Sequence, residues 1–223
     1  MSFNPQVNKE AQKVDKQKEE QQSQEQQQQQ SQTQQQQQQK QHTPNMIDPN
    51  LHYTIIPDQT KDIQGNIKFG KGCVVHPGSS ITVQEGAGPI IFGDYNIIEE
   101  RCYITNKVQK DGSVKTMYIG NYNLFEVDSK INSSNIGDFN QFEPRCILER
   151  NCEIKNGCTI GATVQIPSNS KFNNNTKIHW PEKLGKDQNF DEESHKQGII
   201  SLYESLATIL PQYQKIQRLK PSQ

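Results

Sequence analysis

The sequence predicts an all-β solenoid, a left-handed parallel β-helix of about six triangular coils, and three observations lead to this prediction. An aliphatic or aromatic residue recurs at every sixth position, the residue four places beyond it is usually small or turn-prone, and the pattern runs through most of the chain. A period of six fits neither an α-helix nor a two-faced strand. Three such repeats close one coil, so each coil buries its apolar side chains on the next.

The recurring apolar positions, here called the repeat residues, form four series. They are Ile63, Phe69, Val75 and Ile81; Phe92, Ile98 and Ile104; Ile119, Phe125 and Ile131; and Ile136, Phe142, Leu148, Ile154, Ile160, Ile166, Phe172 and Ile178. The turn-rich segment Gln84–Pro89 and the polar segment Asn106–Met117 interrupt the series, and we expect the second to protrude from a corner. Between Ile131 and Ile136 the spacing is one residue short, which a corner can absorb.

The chain divides into three predicted parts: residues 1–50, 51–181 and 182–223. Residues 1–50 are glutamine-rich and lack the apolar side chains needed to offset the entropy of ordering, so we expect them to be disordered. A coiled coil is a weaker interpretation of this segment than disorder, because no apolar heptad runs through it. Self-association through glutamine side chains is a further possibility that rests on composition alone. Residues 51–181 contain the β-helix, whose regular coils are expected to begin near Ile63.

A linker and an amphipathic helix are predicted for residues 182–223. Apolar residues recur at helical spacing from Ile199 to Ile216, and Asp191 or Ser194 is a suitable first residue. Pro211 should kink or end the helix after Leu210. We expect the helix to pack along one face of the prism or to cover the last coil, whose open strand edges need a cover.

Composition excludes several classes of function. The 223 residues carry a formal net charge of −1, with 30% hydrophobic and 22% charged residues, which gives no support for binding nucleic acid or a membrane surface. The sequence contains neither an apolar run long enough to span a membrane nor the hydrophobic core of a signal peptide. We therefore expect a cytoplasmic protein that is not inserted in a membrane.

The five cysteines share one position in the repeat, four residues after a repeat residue. They are Cys73, Cys102, Cys146, Cys152 and Cys158. The last three fall on three different corners of one coil, so they cannot easily converge on an ion or on one another. We expect small buried side chains, with no metal and no cofactor.

Two enzyme activities known in β-helices of this kind depend on histidines. Aligned by hand, the positions that bind zinc in γ-class carbonic anhydrases carry Ile104, Asn121 and Glu126, and neither an aliphatic nor an amide side chain replaces imidazole. The protruding segment, which bears a general-base histidine in acyltransferases, contains no His, Cys or Glu. His76 and His179 are isolated, and we expect solvent-facing or capping roles. The sequence thus favours a non-enzymatic protein, with an enzyme of the same fold as the alternative.

One octad occurs three times, at Phe92–Glu99, Ile119–Glu126 and Ile136–Glu143. Each copy contains glycine, Asp or Asn, an aromatic residue, asparagine and a final glutamate, and the copies are one coil apart. We expect an asparagine ladder and an aromatic column at one corner. The asparagines are Asn96, Asn123 and Asn140, and the aromatic residues are Tyr95, Tyr122 and Phe139. Two interpretations remain open, namely corner architecture or an exposed docking stripe of aromatic and carboxylate groups.

A grid of charged residues adjoins the octads. Glu99, Glu126 and Glu143 directly follow a repeat residue, and Arg101, Asp128 and Arg145 come two positions later on what we take to be the same strands. We expect both rows to point outward, with the arginines next to glutamates. Ion pairs on an exposed surface add little stability, so these six residues are the candidate partner-binding surface.

Four segments of the chain resemble the dynactin subunit 6 family. They are GPIIFGDYNIIEE (Gly88–Glu100), MYIGNYNLFEV (Met117–Val127), IGDFNQFEPRCILERNCEIKNGCTIGA (Ile136–Ala162) and ILPQYQKIQRLK (Ile209–Lys220). The resemblance extends from about Ile63 to Lys220 and leaves out the glutamine-rich leader. It implies a left-handed β-helix with no catalytic activity.

The resemblance also implies partners and a location. A member of this family would lie in the pointed-end complex of dynactin, the activator of cytoplasmic dynein, and would support microtubule-based transport in the cytoplasm and cytoskeleton. Its neighbours would be dynactin subunit 5, an actin-related protein and a zinc-containing subunit, with cargo adaptors contacted indirectly. A free-standing homotrimer is a weaker hypothesis. Catalytic relatives need the trimer to build histidine-containing sites between subunits, and this chain lacks those histidines.

Overall fold

The computed structural model describes residues 52–58, 62–132, 135–179, 183–213 and 215–220. The predicted disordered leader at 1–50 lies outside the described residues. Short strands dominate the described part. In chain order they are β1 (Thr54–Pro57), β2 (Ile63–Gln64), β3 (Ile67–Lys68), β4 (Val74–Val75), β5 (Ser80–Val83), β6 (Ile90–Phe92), β7 (Ile97–Ile98), β8 (Tyr103–Asn106), β9 (Met117–Ile119), β10 (Leu124–Phe125), β11 (Lys130–Asn132), β12 (Asn135–Ile136), β13 (Gln141–Phe142), β14 (Ile147–Leu148), β15 (Glu153–Ile154), β16 (Thr159–Ile160), β17 (Gln165–Ile166), β18 (Lys171–Phe172), β19 (Thr176–His179), β20 (Lys183–Lys186) and β21 (Ile216–Leu219). One helix, α1 (Glu192–Tyr213), follows β20.

The strands form three sheets that close a three-sided prism. Sheet A has nine strands in the order β20, β19, β16, β13, β10, β7, β4, β1 and β21. Sheet B has six strands, β17, β14, β11, β8, β5 and β2, and sheet C has six, β18, β15, β12, β9, β6 and β3. From β2 to β19, successive strands pass from B to C to A in turn, and strands one coil apart pair in parallel. The predicted left-handed parallel β-helix is confirmed.

The repeat residues fill the interior as predicted. Phe125 pairs in register with Phe142, and their rings stack with centroids 4.8 Å apart. Both side chains are fully buried, as are most other repeat residues. Ile63 and Phe172, which belong to the terminal coils, remain partly exposed because only one coil packs against them. The buried apolar column is the main source of stability.

Single residues with positive φ make the sharp turns at the corners. In the part of the chain that the structure describes, ten of them are not glycine, and their φ angles lie between 52° and 67°. They are Tyr95, Arg101, Tyr122, Asp128, Phe139, Arg145, Asn151, Thr163, Asn169 and Asn175. Arg101, Asp128 and Arg145 therefore lie in turns, and the prediction that they continue the strands of the glutamates was wrong. A side chain in this conformation costs about 1–2 kcal/mol, so surrounding contacts must hold each corner in place.

Two antiparallel strands at the ends of sheet A were not predicted. β20 lies in the predicted linker and pairs with β19, where Ile178 is opposite Leu184. β21 contains Ile216, which the helical pattern had included, and pairs with β1. β1 itself pairs in parallel with β4, so sheet A begins before Ile63. The two added strands cover the edges of sheet A, the role that the sequence had given to the helix alone.

The helix α1 packs on the outer face of sheet A, as one of the two predicted arrangements had it. Its Ile199 and Tyr203 are buried in one cluster with Val74 and Ile97 of that sheet. The side chain of Asp191 accepts a hydrogen bond from the Ser194 backbone N–H at 3.0 Å, so Asp191 caps the helix. No helix in the described ranges combines the length and apolar character needed to cross a membrane.

Of the two outcomes predicted at Pro211, a kink or an end of the helix, the end was wrong, because α1 continues to Tyr213. Proline removes one backbone hydrogen bond and crowds the preceding turn. Here it stands in the last turn, where few backbone hydrogen bonds remain to be lost. The helix therefore passes through Pro211 before the chain turns back to form β21.

Candidate partner-binding surface

The octads fold into the corner between sheets C and A, where their Asp or Asn residues form an outer ladder. The backbone N–H of Asp94 donates to Asn121 Oδ1 at 2.8 Å, and that of Asp138 donates to Asn156 Oδ1 at 2.9 Å. Glycine precedes each acidic or amide residue because the coils approach closely, and a Cβ on Gly93 would lie 2.8 Å from the carbonyl oxygen of the next coil. Sequence reasoning missed this ladder, although the recurrence of Asp or Asn at one-coil spacing could have revealed it.

The predicted asparagine ladder runs inside the same corner and is confirmed. Asn123 Nδ2 donates to Asn96 Oδ1 at 2.9 Å, and the Asn140 backbone N–H donates to Asn123 Oδ1 at 2.8 Å. The ladder continues from Asn140 Oδ1 to the backbone N–H of Cys158 at 2.7 Å. All three asparagines are buried, so these bonds replace hydration that the backbone loses on folding.

The aromatic column also exists, but the idea that it is an exposed docking stripe was wrong. Tyr95 stacks on Tyr122, and Tyr122 on Phe139, with centroids 5.2 and 5.5 Å apart. Helix α1 covers the column, since Tyr203 meets Tyr95 edge-on at 5.7 Å and His195 meets Phe139 edge-on at 6.2 Å. The aromatic residues of the octads therefore build the corner of the prism and form the surface on which helix α1 packs.

Two polar groups fix the helix on this column. His195 Nε2 donates to the Tyr122 carbonyl oxygen at 2.9 Å, and Tyr203 donates its hydroxyl hydrogen to the Tyr53 carbonyl oxygen at the same distance. Burial lowers the pKa of His195, against the opposing effect of the bond to Tyr122. Burial also raises the pKa of Tyr203 to about 12. Both side chains are thus held in their neutral forms at neutral pH.

The predicted glutamate row lies at the corner between sheets A and B and bonds one coil to the next. Glu99 Oε2 accepts the Val127 backbone N–H at 3.1 Å, and Glu143 Oε2 accepts that of Ala162 at 2.9 Å. The equivalent position above Glu126 is Pro144, which has no N–H. Glu126 Oε1 instead accepts from the Gln141 side chain at 2.6 Å. Burial raises the pKa of Glu99, opposed by the Val127 N–H.

The second predicted row contains a charge network that faces solvent. Arg101 makes two hydrogen bonds to Asp128, at 2.8 and 3.2 Å, and Arg145 Nε lies 3.8 Å from Oδ2 of that carboxylate. The side chains of Arg101 and Arg145 are 58% and 73% exposed. The arginines thus flank an aspartate, and neither forms an ion pair with a glutamate of the first row in the described part of the chain. The hydrogen bonds from Arg101 lower the pKa of Asp128.

The two predicted rows therefore have different roles. The carboxylates of the glutamate row already accept hydrogen bonds within the protein, whereas the guanidinium groups of Arg101 and Arg145 keep donors directed to solvent. These three residues, Arg101, Asp128 and Arg145, are called the arginine row below. A planar guanidinium donates two parallel hydrogen bonds to a carboxylate, so the row is suited to acidic side chains of another protein.

The two isolated histidines differ in their surroundings. His76 is buried at the corner that starts the glutamate row, and its Nδ1 lies 2.9 Å from Glu100 Oε1, so the expected solvent-facing position was wrong. His179 is exposed in the last coil, as expected. Neither lies within a group of three or more His, Cys, Asp or Glu residues suited to a metal ion, and the described ranges contain no such group.

The other residues considered for chemistry have structural roles. All five cysteines are buried, as predicted, and none is part of a disulfide; burial raises the pKa of Cys73 and Cys102 to about 11. At the positions aligned with carbonic anhydrase ligands, Ile104 is a fully buried core residue. Asn121 belongs to the outer ladder, where its Nδ2 donates to Asp138 at 2.9 Å. Protonated thiols and hydrogen-bonded amides of this kind are poor nucleophiles and poor metal ligands.

Comparison with known proteins identifies several relatives that bear one name. The chain is 43% identical to dynactin subunit 6 of Dictyostelium discoideum over 120 residues, which is 54% of this chain and 61% of the relative. It is 34% identical to dynactin subunit 6 of Xenopus tropicalis over 163 residues, 70% of this chain and 78% of the relative. It is 32% identical to dynactin subunit 6 of Danio rerio over 164 residues, 70% of this chain and 81% of the relative. The chain thus spans less than two thirds of the Dictyostelium relative and over three quarters of the Xenopus and Danio relatives. No family model matches the chain.

Proposed function

Since the chain belongs to the dynactin subunit 6 family, we propose that it is a non-catalytic structural and adaptor subunit of dynactin. The observation that carries this proposal is sequence identity of 34% over 163 residues, which is 78% of the Xenopus relative. In the finer proposal, the chain lies in the pointed-end complex and supports dynein-based microtubule transport in the cytoplasm and cytoskeleton. Its neighbours there are dynactin subunit 5, an actin-related protein and a zinc-containing subunit.

The use of side chains in the structure supports a scaffolding role. Apolar repeat residues fill the prism, the inner corner positions form ladders between coils, and the buried thiols have raised pKa values. These groups hold the coils together and are not available to a substrate. Function then depends on outward-facing groups, as it does in other solenoids whose extended surfaces bind partners.

We place one partner contact on the arginine row. An exposed ion pair stabilises a folded protein by about 0–1 kcal/mol, so fold stability is a weak reason for two arginines around Asp128. Both arginines project from turns whose backbone is fixed by hydrogen bonds to the neighbouring coils. Such a rigid, cationic row suits an acidic surface on an adjacent subunit. The glutamate row of Glu99, Glu126 and Glu143 supports it by bonding the corners together.

The proposal is tested by sedimentation of cell extract that contains the tagged full-length chain at its natural level. We expect the tagged chain to co-sediment with dynactin and to co-purify with the other dynactin subunits in fixed proportion. Extract in which the dynactin filament has been dissociated serves as the control, and the chain should then move to lighter fractions. A chain that sediments alone or as a homotrimer in both extracts would contradict the proposal.

A further inference from the structure

A cavity of about 410 Å³ lies outside the surfaces described so far, between the protruding loop at 107–116 and the corner that joins sheets B and C. Its lining is polar or charged throughout. The described lining residues are Gln109, Lys110, Asp111, Ser113, Lys115, Arg150, Asn151, Ser168 and Asn169. The loop supplies the first five, and two successive corners of the solenoid supply the other four. The cavity therefore lies between the protruding loop on one side and two stacked corners of the β-helix on the other.

The loop at 107–116 is held in position by contacts of its backbone with Asn106 and Gly88. Asn106 Nδ2 donates to the Lys115 carbonyl oxygen at 2.9 Å and to the Gly88 carbonyl oxygen at 2.7 Å. A Cβ on Gly88 would lie only 2.6 Å from the Lys115 carbonyl, so the two insertions are in close contact. Within the loop, the Ser113 backbone N–H donates to Asp111 Oδ1 at 2.9 Å. These contacts preorganise the cavity and lower the entropy lost on binding.

The cavity carries an excess of positive charge. Lys110, Lys115 and Arg150 contribute three cations, and Asp111 contributes one carboxylate, which leaves a net charge of +2. None of the three cations forms an ion pair with another described residue. A phosphate monoester carries about −1.5 to −2 charges at neutral pH, whereas a carboxylate carries one. The charge of the cavity therefore matches a phosphate group better than a carboxylate.

One polar atom in the wall needs a donor. Asn151 Oδ1 is buried and has no hydrogen-bond partner in the described part of the chain. Such an acceptor loses its hydration without compensation, which is unfavourable. A fully ionised phosphate has no hydrogen to donate, but the backbone N–H of a peptide does. The cations and Asn151 together fit a phosphate attached to a peptide.

From these observations we propose that the cavity binds a phosphorylated serine or threonine side chain of a partner protein. Lys110, Lys115 and Arg150 bind the phosphate oxygens, and Asn151 accepts a backbone N–H of the bound segment. This inference goes beyond the proposed function, because it concerns a different part of the surface and a regulated partner. Phosphorylation of that partner would then control its attachment to this chain.

The test uses immobilised full-length chain and two peptide pools with degenerate flanking residues, one with a central phosphoserine and one with serine. Because hydrogen bonds to charged groups are stronger than neutral ones, we expect the wild-type chain to retain at least about ten times more of the phosphorylated pool than of the serine pool. K110Q combined with K115Q should reduce retention to the level of the serine pool. N151G, which tolerates the positive φ of this corner, should lower retention of both pools.

A matched control removes two lysines elsewhere. Lys155 and Lys183 are exposed and do not line the cavity, so K155Q combined with K183Q should retain the phosphorylated pool like the wild type. Circular dichroism melting of every variant checks the fold. Equal retention of the two pools by the wild type, or unchanged retention by K110Q with K115Q, would overturn the proposal. So would competition by inorganic phosphate as strong as by phosphopeptide, or binding to phosphatidylserine vesicles without peptide retention.

Discussion

At the scale of single residues, the unfavourable positive φ of some corner residues is offset by the contacts that their side chains make. Tyr95, Tyr122 and Phe139 adopt positive φ, which costs each about 1–2 kcal/mol, yet all three stack in one column. Aromatic pairs of this geometry contribute about 0.5–1.5 kcal/mol beyond the area that they bury. The column and the helix upon it thus offset the strain, and glycine is not needed at these three corners.

The repeat residue Phe142 tests the interior packing. It is fully buried and stacked on Phe125, so F142D would lose this packing and bury an unpaired carboxylate. We expect a loss of about 4 kcal/mol or more in the free energy of unfolding, seen as loss of soluble protein or of a cooperative melt. Q165D changes an exposed, outward-facing strand residue and should melt like the wild type. A stable F142D protein would show that the register is wrong.

His195 makes the attachment of the helix depend on pH. Because its pKa is lowered from 6.5 on folding, the unfolded chain binds more protons as the pH falls below 6.5. The stability that neutral His195 contributes is present above that pH and is lost as the pH falls through the lowered value. We expect urea unfolding to show a smaller stability loss from pH 7.5 to 5.5 in H195Q than in the wild type. Equal losses would rule out this role.

At the scale of elements, helix α1 acts as a brace on sheet A. Its buried residues cover Val74 and Ile97, while the added strands β20 and β21 cover the two edges of the same sheet. Sheets B and C have no such antiparallel strands in the described ranges. The stabilising additions are therefore concentrated on one face of the prism, which leaves the corner that bears the arginine row exposed.

Two tyrosines of α1 provide a matched test of this brace. Tyr203 is buried on Tyr95 and bonded to the Tyr53 carbonyl, whereas Tyr213 is 76% exposed. We expect Y203A to lower the free energy of unfolding by about 3 kcal/mol and to speed amide hydrogen exchange along α1. Y213A should leave both unchanged. Equal exchange in the two variants would show that the helix is held by other contacts.

Much of the solenoid could be predicted because its contacts are periodic. Phe125 and Phe142 occupy equivalent places in successive coils, so the spacing alone predicts their stacking. The contact between His195 and Tyr122 joins residues 73 positions apart without any repeat, and no pattern points to it. All four residues of β20 are exposed, so its sequence shows no alternation of buried and exposed residues. Only its pairing with the edge strand β19 makes this segment a strand.

The charged surface was predicted less well for a similar reason. The spacing placed Arg101, Asp128 and Arg145 at equivalent positions in successive coils, which the structure confirms. It could not show that these positions are turns, since arginine, which occupies two of the three, rarely adopts positive φ. The turn geometry brings the Arg101 guanidinium against Asp128, with which it forms two hydrogen bonds. Side-chain pairing therefore depended on a backbone feature that residue type did not reveal.

At the scale of the whole molecule, the stacked coils in residues 52–223 form a unit of their own. We propose that this unit folds without the glutamine-rich leader. A chain that begins at His52 should melt within a few degrees of the full-length protein, because the three sheets and α1 supply their own contacts. Differential scanning calorimetry of both chains measures this. A larger drop would mean that the leader contributes to the stability of the fold.

The central claim is that this family member joins dynactin through an outward corner of its β-helix. The most direct measurement is quantitative mass spectrometry of dynactin subunits that co-purify with the tagged full-length chain and with R101E combined with R145E. We predict full recovery with the wild type and with the exposed-lysine control K155E combined with K183E. The arginine variant should keep its melting temperature and lose about tenfold in recovery. Undiminished recovery with the arginine variant, or no dynactin subunits with the wild type, would contradict the claim.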